Sequence, residues 1–110
     1  MADVVVYGAS DQGECTFDVV TRQGRDRIVG YLDDGQEPGT EVCGLPVLGG
    51  GDDLPRLRRE LGFDSVIVAL GDNFSRARVA EWLRTVDPTI GFATATSREK
   101  NASRRGLSAR

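Results

Sequence analysis

Residues 4–20 read VVVYGASDQGECTFDVV. Val4–Tyr7 is an unbroken run of β-branched and aromatic residues that stops at Gly8, the pattern of a buried strand. Four residues separate Gly8 from Gly13, and residues 14–23 then have helical spacing. Phe17 and Val20 fall three apart on one face, and Gly24 stands where a helix stop belongs. A strand, a glycine turn and a helix make half of a βαβ unit. Whether the chain continues the alternation decides its fold.

It does continue. DRIVGYLDD (26–34) reads as a second strand ending in two carboxylates, and GQEPGTEVCG (35–44) as loop from its glycine and proline content. LPVL (45–48) suits a short edge strand, because Pro46 has no ladder donor. GGGDDLPRLRRELG (49–62) is a glycine turn and a helix. Asp52 or Asp53 caps it, Pro55 lies in its first turn, Leu54, Leu57 and Leu61 form its apolar face, and Gly62 takes the C′ position. Arg56, Arg58 and Arg59 read as a solvated face. SVIVAL (65–70) has the continuous apolar character of a strand buried on both faces. A helix from about 74 to 86 follows GDN, with Val79, Trp82, Leu83 and Val86 on one stripe, and Thr89–Thr94 reads as a last strand. The expected fold is α/β: a Rossmann-like, open, mostly parallel sheet of four to five strands with helices on both faces.

The bulk numbers bound the function. A chain of 110 residues fits one domain. No apolar run reaches the ~18–20 residues of a membrane helix, and the N-terminus lacks a leader pattern. Cys15 and Cys43 have neither zinc-site nor disulfide-framework spacing, so the expected compartment is the cytoplasm. There is no histidine, which removes the commonest general base and the commonest transition-metal ligand. Residues 1–97 carry 9 Arg against 16 Asp and Glu. This acidic body argues against nucleic acid as a partner. Residues 97–110 are basic and poor in apolar residues, and disorder is expected there. The expected domain is residues 1–96.

In a fold of this class the ligand crevice lies beyond the carboxyl ends of the strands. Three corners leave the sheet at that edge: Gly8-Ala9-Ser10-Asp11-Gln12-Gly13, Asp33-Asp34, and Gly71-Asp72-Asn73 with Arg76 one helical turn on. The first corner is not G-x-G-x-x-G, because Ser10 replaces the middle glycine, and no Gly-Lys-Ser/Thr of a P-loop follows. It is either a tight strand-to-helix corner or a phosphate seat at a helix N-terminus. Asp11 and Glu14 oppose the second reading by raising the local negative potential. Asp33 and Asp34 are either solvated carboxylates or acceptors for ribose hydroxyls and a base N–H. Asp72 or Asn73 is a good helix N-cap in its own right, and Arg76 can pair with a phosphate or with Asp72.

Four segments appear together in the order and spacing of one family: VVVYGASDQGECTFDVV, IVGYLDDG, VCGLPVLGGGDDL and SVIVALGDNFSRARVAEWL. Over about residues 3–95 the chain resembles the N-terminal domain of bacterial sugar acetyltransferases related to sialic acid O-acetyltransferase and the bacillosamine-pathway N-acetyltransferase. The resemblance implies a small Rossmann-like unit that binds a UDP-linked sugar for polysaccharide biosynthesis. In the family it precedes a trimeric β-helix of hexapeptide repeats that binds acetyl-CoA and supplies a catalytic histidine. Carried over, Gly8–Gly13 lie near the diphosphate and sugar, Asp33 and Asp34 near the uridine, and Gly71, Asp72, Asn73 and Arg76 line the same crevice. Gln12 stands where the family's turn carries a histidine, and keeps hydrogen-bonding capacity without charge. The sequence continues as ATSREKNASRRGLSAR where the repeats would begin.

The expectation is a UDP-sugar-binding domain with no catalytic residue of its own and no cofactor. Acetyl-CoA and the β-helix would belong to a missing domain or a separate subunit. Three rivals stand beside it. One is a nucleotide- or CoA-binding Rossmann domain of another polysaccharide-biosynthesis protein, which shares the IVGYLDDG and GLPVLGG features. The others are a small NAD(P)-dependent reductase and a degenerate domain kept for protein contact.

Overall fold

The alternation runs β1 (Ala2–Tyr7), α1 (Asp11–Gln23), β2 (Asp26–Leu32), β3 (Glu41–Val42), β4 (Leu45–Gly49), a 3-10 turn (Gly51–Asp53), α2 (Leu54–Leu61), β5 (Ser65–Val68), α3 (Asn73–Val86) and β6 (Gly91–Phe92). The computed structural model describes residues 2–93, so the expectations for 97–110 lie outside the described residues. The sheet order is β3-β4-β2-β1-β5-β6. All neighbours are parallel except the β3–β4 hairpin. From β1 the chain builds outward through β2 to β4, then returns to the other side of β1 for β5 and β6. The direction of winding therefore reverses between β1 and β5, which is the topological switch point.

Alternation along β1 sorts the core into two layers. Val4 and Val6 face a cluster with Val20 of α1, Ile28, Tyr31, Val47 and Ile67, with Phe17 packed against it. Val5 faces Leu54 and Leu57 of α2, Leu83 of α3, Leu32, Val66 and Phe63. Helix α1 thus covers one face, and α2 and α3 cover the other. Both faces of the central strand are sealed, which is why it reads as a continuous apolar run.

Several local expectations change. Helix α1 begins at Asp11, three residues earlier than the apolar spacing indicates, because its first turn is polar. Strand β2 ends at Leu32, so Asp33 and Asp34 lie on the turn that follows it. The 35–44 loop contains β3, and β4 is therefore not the sheet edge. Asp53 turns its carboxylate back to the Gly50 amide (3.0 Å) and makes no side-chain cap on α2. Leu61 leaves the apolar face and is 42% exposed. Helix α2 ends there, and Phe63, beyond the left-handed Gly62, fills the core in its place. Arg58 is not solvated: its Nη1 donates to both oxygens of Asp87 (3.2 and 3.1 Å) and to Thr89 Oγ1 (2.6 Å), tying α2 to the end of α3. The final strand is only Gly91–Phe92.

Candidate functional site

The site begins at the end of β1. Gly8 has φ +110°, and a Cβ built there would lie 2.6 Å from the Ala69 carbonyl oxygen and 3.5 Å from Leu70 Cδ2. The first corner thus touches the backbone that leaves β5. A Cβ on Gly13 would lie 2.2 Å from the Gly8 carbonyl oxygen, so the first turn of α1 rests directly on the corner. The two glycines serve close approach, and together they bring α1 to the switch point.

The two helix N-termini at this edge differ. On α3, Asp72 is the N-cap, and its Oδ1 accepts the Ser75 amide (2.7 Å) and its Oδ2 the Ser75 hydroxyl (2.9 Å). The Ser75 backbone bond, then its hydroxyl, holds the Asp72 carboxyl below the usual range. On α1, the N-cap Ser10 makes no side-chain cap, and the Glu14 amide makes the bond to the Ser10 carbonyl (3.0 Å). The amides of Asp11, Gln12 and Gly13 precede that bond and have no acceptor within the helix. Ser10, Asp11, Gln12 and Glu14 are all exposed. The α1 terminus therefore exposes its first turn at Asp11 and Gln12, flanked by two carboxylates, while Gly13 is buried against the corner.

Asp33 and Asp34 diverge at the turn after β2. Asp33 crosses to the first corner: its Oδ2 accepts the Ala9 amide (2.9 Å), and its Oδ1 accepts the Gly35 amide (2.8 Å). Gln36 adds a second clasp, donating from Nε2 to the Ala9 carbonyl (3.1 Å). Asp34 turns to the opposite layer. It accepts the Tyr7 hydroxyl (2.5 Å) and the Gly51 amide (3.1 Å), while Trp82 meets the Tyr7 ring edge-on with centroids 6.3 Å apart. The structure thus joins Asp33 to Ala9, and joins Asp34 to the 3-10 turn. At the third corner Arg76 donates to the Leu70 carbonyl (3.2 Å) and to Asn73 Oδ1. Gly71 has open space around it. The residue that the sequence reading passes over is Phe74, 71% exposed in the first turn of α3, with the Arg78 guanidinium 5.6 Å from its ring centroid. Its exposure cannot be read from helical spacing.

Both tyrosines of the chain sit in this framework. Burial, reinforced by Asp34, pushes the Tyr7 hydroxyl well above the usual phenol range. Burial, with the Cys43 thiol beside it, does the same to Tyr31. A group whose folded value is raised adds stability below its unfolded value, about 10 for tyrosine, and that stability is lost as pH rises beyond it. Ultraviolet titration of the native domain is expected to show no phenolate step near pH 10. Both phenolates should appear together, when the fold melts. A separate step near pH 10 for one tyrosine would place that hydroxyl in water.

Two hollows lie away from this edge, one of them lined by Pro55, Arg58, Arg59, Asp87 and Thr89. A notch of about 430 Å³ lined by Ala2, Asp3, Arg27, Gly62 and Asp64 opens at the amino ends of the strands, where Arg27 and Asp3 form a bidentate pair. Among the described residues no carboxylate and cysteine cluster can hold a metal ion. Among them, too, no helix is long and apolar enough to cross a membrane.

Sheet order and switch point define a Rossmann-like class of domain. Within that class, the chain belongs to the family of PglD N-terminal domains, which it matches over residues 3–83. Among curated proteins none matches the sequence. Perosamine N-acetyltransferase from Caulobacter crescentus, in a structure with CoA and GDP-perosamine, superposes with a TM-score of 0.71 at 25% identity, over 86% of this chain and 42% of that one. The acetyltransferase domain of PglB from Neisseria gonorrhoeae, in complex with acetyl coenzyme A, gives 0.57 at 25%, over 77% and 40%. UDP-D-quinovosamine 4-dehydrogenase from Vibrio fischeri gives 0.66 at 18%, over 93% and 85%, and shares the fold. The chain spans less than half the length of the acetyltransferases it matches.

Proposed function

We propose that this domain binds the nucleoside diphosphate part of a nucleotide-linked sugar, UDP in the first instance, and presents the sugar for acetyl transfer carried out elsewhere. The observation that carries the reading is the uncapped N-terminus of α1, seated on the Gly8–Gly13 corner and clasped by Asp33. Helix amides without intrahelical acceptors, at the exposed Asp11 and Gln12, with the helix dipole behind them suit a diphosphate. Asp33 keeps lone pairs beyond its two amide bonds and lies where a ribose hydroxyl is accepted in such folds. Asp34 acts as the brace that holds the 3-10 turn and Tyr7. Gly71, Asp72, Asn73 and Arg76 form the far wall. Membership in a sugar-acetyltransferase domain family supports the ligand class, and the GDP-perosamine of the Caulobacter structure supports a nucleotide sugar in general.

No acetyl-transfer step is assigned to this chain. The reading gives the acetyl-CoA site and the base to a β-helix domain, on a separate subunit or on further chain. Asp11 and Glu14 weaken the anion seat, so the expected dissociation constant for UDP is on the order of 0.1–1 mM, about −4 to −5.5 kcal/mol. Calorimetry with UDP, UDP-N-acetylglucosamine, CoA and NADH tests the reading. Saturable UDP binding is the expected result. Tight binding of CoA or NADH with none of UDP would overturn it.

A further inference from the structure

Two large hydrophobic side chains are exposed among the described residues, Leu61 and Phe74. Leu61 is explained by the end of its helix. Phe74 is not. It occupies the first turn of a capped helix, where a polar residue would serve equally well, and it stands at the carboxyl edge of the sheet beside the switch point. Its neighbours on that helix are turned elsewhere: Asp72 to Ser75, Arg76 to Leu70 and Asn73. Arg78 lies over the ring, yet 71% of Phe74 remains open.

The sheet orders what can lie beside it. Along the carboxyl edge the strands run β2, β1, β5. They present in turn the Asp33 corner, the Gly8–Gly13 corner with the open α1 terminus, and the corner carrying Asn73 and Phe74. A nucleotide-linked sugar has the same linear order of parts: nucleoside, diphosphate, hexose. With the diphosphate on the central corner and the nucleoside toward Asp33, the hexose falls on the α3 side. The first corner touches the segment that leaves β5, since a Cβ on Gly8 would meet the Ala69 carbonyl oxygen at 2.6 Å and Leu70 Cδ2 at 3.5 Å, and Phe74 follows on that same segment at the start of α3. We infer that Phe74 is the sugar platform, its open ring face taking the C–H face of the pyranose. Aromatic rings suit this task because they present a large apolar face that loses little conformational freedom on binding.

The inference rests on the nucleotide reading, and the experiment separates the two. Calorimetry compares UDP with UDP-N-acetylglucosamine, and GDP with GDP-mannose, on the wild-type chain and on Phe74→Ala. Phe74 is on the surface, so the variant should fold, and Phe74→Trp serves as the rescue. The wild type should bind the sugar form more tightly than the bare diphosphate in the series it accepts. Phe74→Ala should weaken the sugar form about two- to tenfold, the range for one aromatic contact, and leave the diphosphate within twofold. Phe74→Trp should keep the sugar increment. Equal loss for both ligands, or no loss for either, overturns the platform while the nucleotide reading stands. If the wild type binds neither diphosphate, the nucleotide reading fails and the platform fails with it.

Discussion

Gly13→Ala is expected to destabilise the domain by about 3 kcal/mol, the reverse of what a glycine-to-alanine change inside a helix normally does. Propensity alone predicts a gain of up to ~1 kcal/mol, because alanine is the better helix former. Here the new methyl carbon would lie 2.2 Å from the Gly8 carbonyl oxygen and 3.1 Å from its carbon. Both are backbone atoms, and no rotamer change relieves the clash. Relief requires α1 to lift from the corner, which loosens its packing of Phe17 and Val20 against the sheet and displaces the open amides. Overpacking of this kind costs typically 1–3 kcal/mol and occasionally more. In a domain of this size the melting temperature should fall by on the order of 15 °C. Gly71→Ala is the control, because a Cβ there meets nothing within 4 Å. It should stay within about 0.5 kcal/mol of wild type. Denaturant midpoints for both variants decide the matter. Equal stability of the two would mean that α1 does not rest on the corner.

The contrast between those two glycines also marks what the sequence makes legible. Features set by local chemistry could be read in advance. Gly24 and Gly62 end their helices with φ of 70° and 78°, Asp72 caps α3, and the valines of β1 and β5 lie in the centre of the sheet. Features set by partners distant in sequence could not. The β3–β4 hairpin turns at Cys43-Gly44, both with positive φ. Glycine suits that turn, but cysteine gives no signal for it where asparagine would. Asp33 and Asp34 look alike in sequence. One clasps Ala9 across 24 positions, and the other braces Gly51 across 17. Arg58 sits among three arginines of one helix, and only its pairing with Asp87 distinguishes it. The edge from which the three corners leave follows from strand alternation, whereas the division of roles between Asp33 and Asp34 follows from contacts. Phe74 is invisible for the opposite reason, since its distinction is the contact it lacks.

Asp33→Ala should cost about 2–3 kcal/mol of stability and weaken nucleotide binding at least about tenfold, the second-largest effect expected. Its carboxylate holds two backbone amides, and they differ in consequence. The Gly35 amide lies in an exposed turn, where water can replace the lost acceptor. Ala9 is 3% exposed, so its amide loses a charged acceptor and gains none, a loss of about 1.5–3 kcal/mol. The corner that seats the diphosphate then has only the Gln36 clasp. Asp33→Asn distinguishes geometry from charge. It keeps one acceptor oxygen, places an NH₂ against the other amide and removes the negative charge. If Asp33 acts as clasp and ribose acceptor, the asparagine variant should fall between wild type and Asp33→Ala in both stability and UDP affinity. If its charge mainly repels the phosphates, that variant should bind UDP more tightly than wild type despite being less stable. Asp34→Ala should lose stability through Tyr7 and Gly51 while leaving the Ala9 clasp in place, so its UDP affinity should change less than that of Asp33→Ala. An Asp33→Ala protein that is destabilised yet binds UDP within twofold of wild type would leave Asp33 a structural clasp and move the nucleoside away from β2.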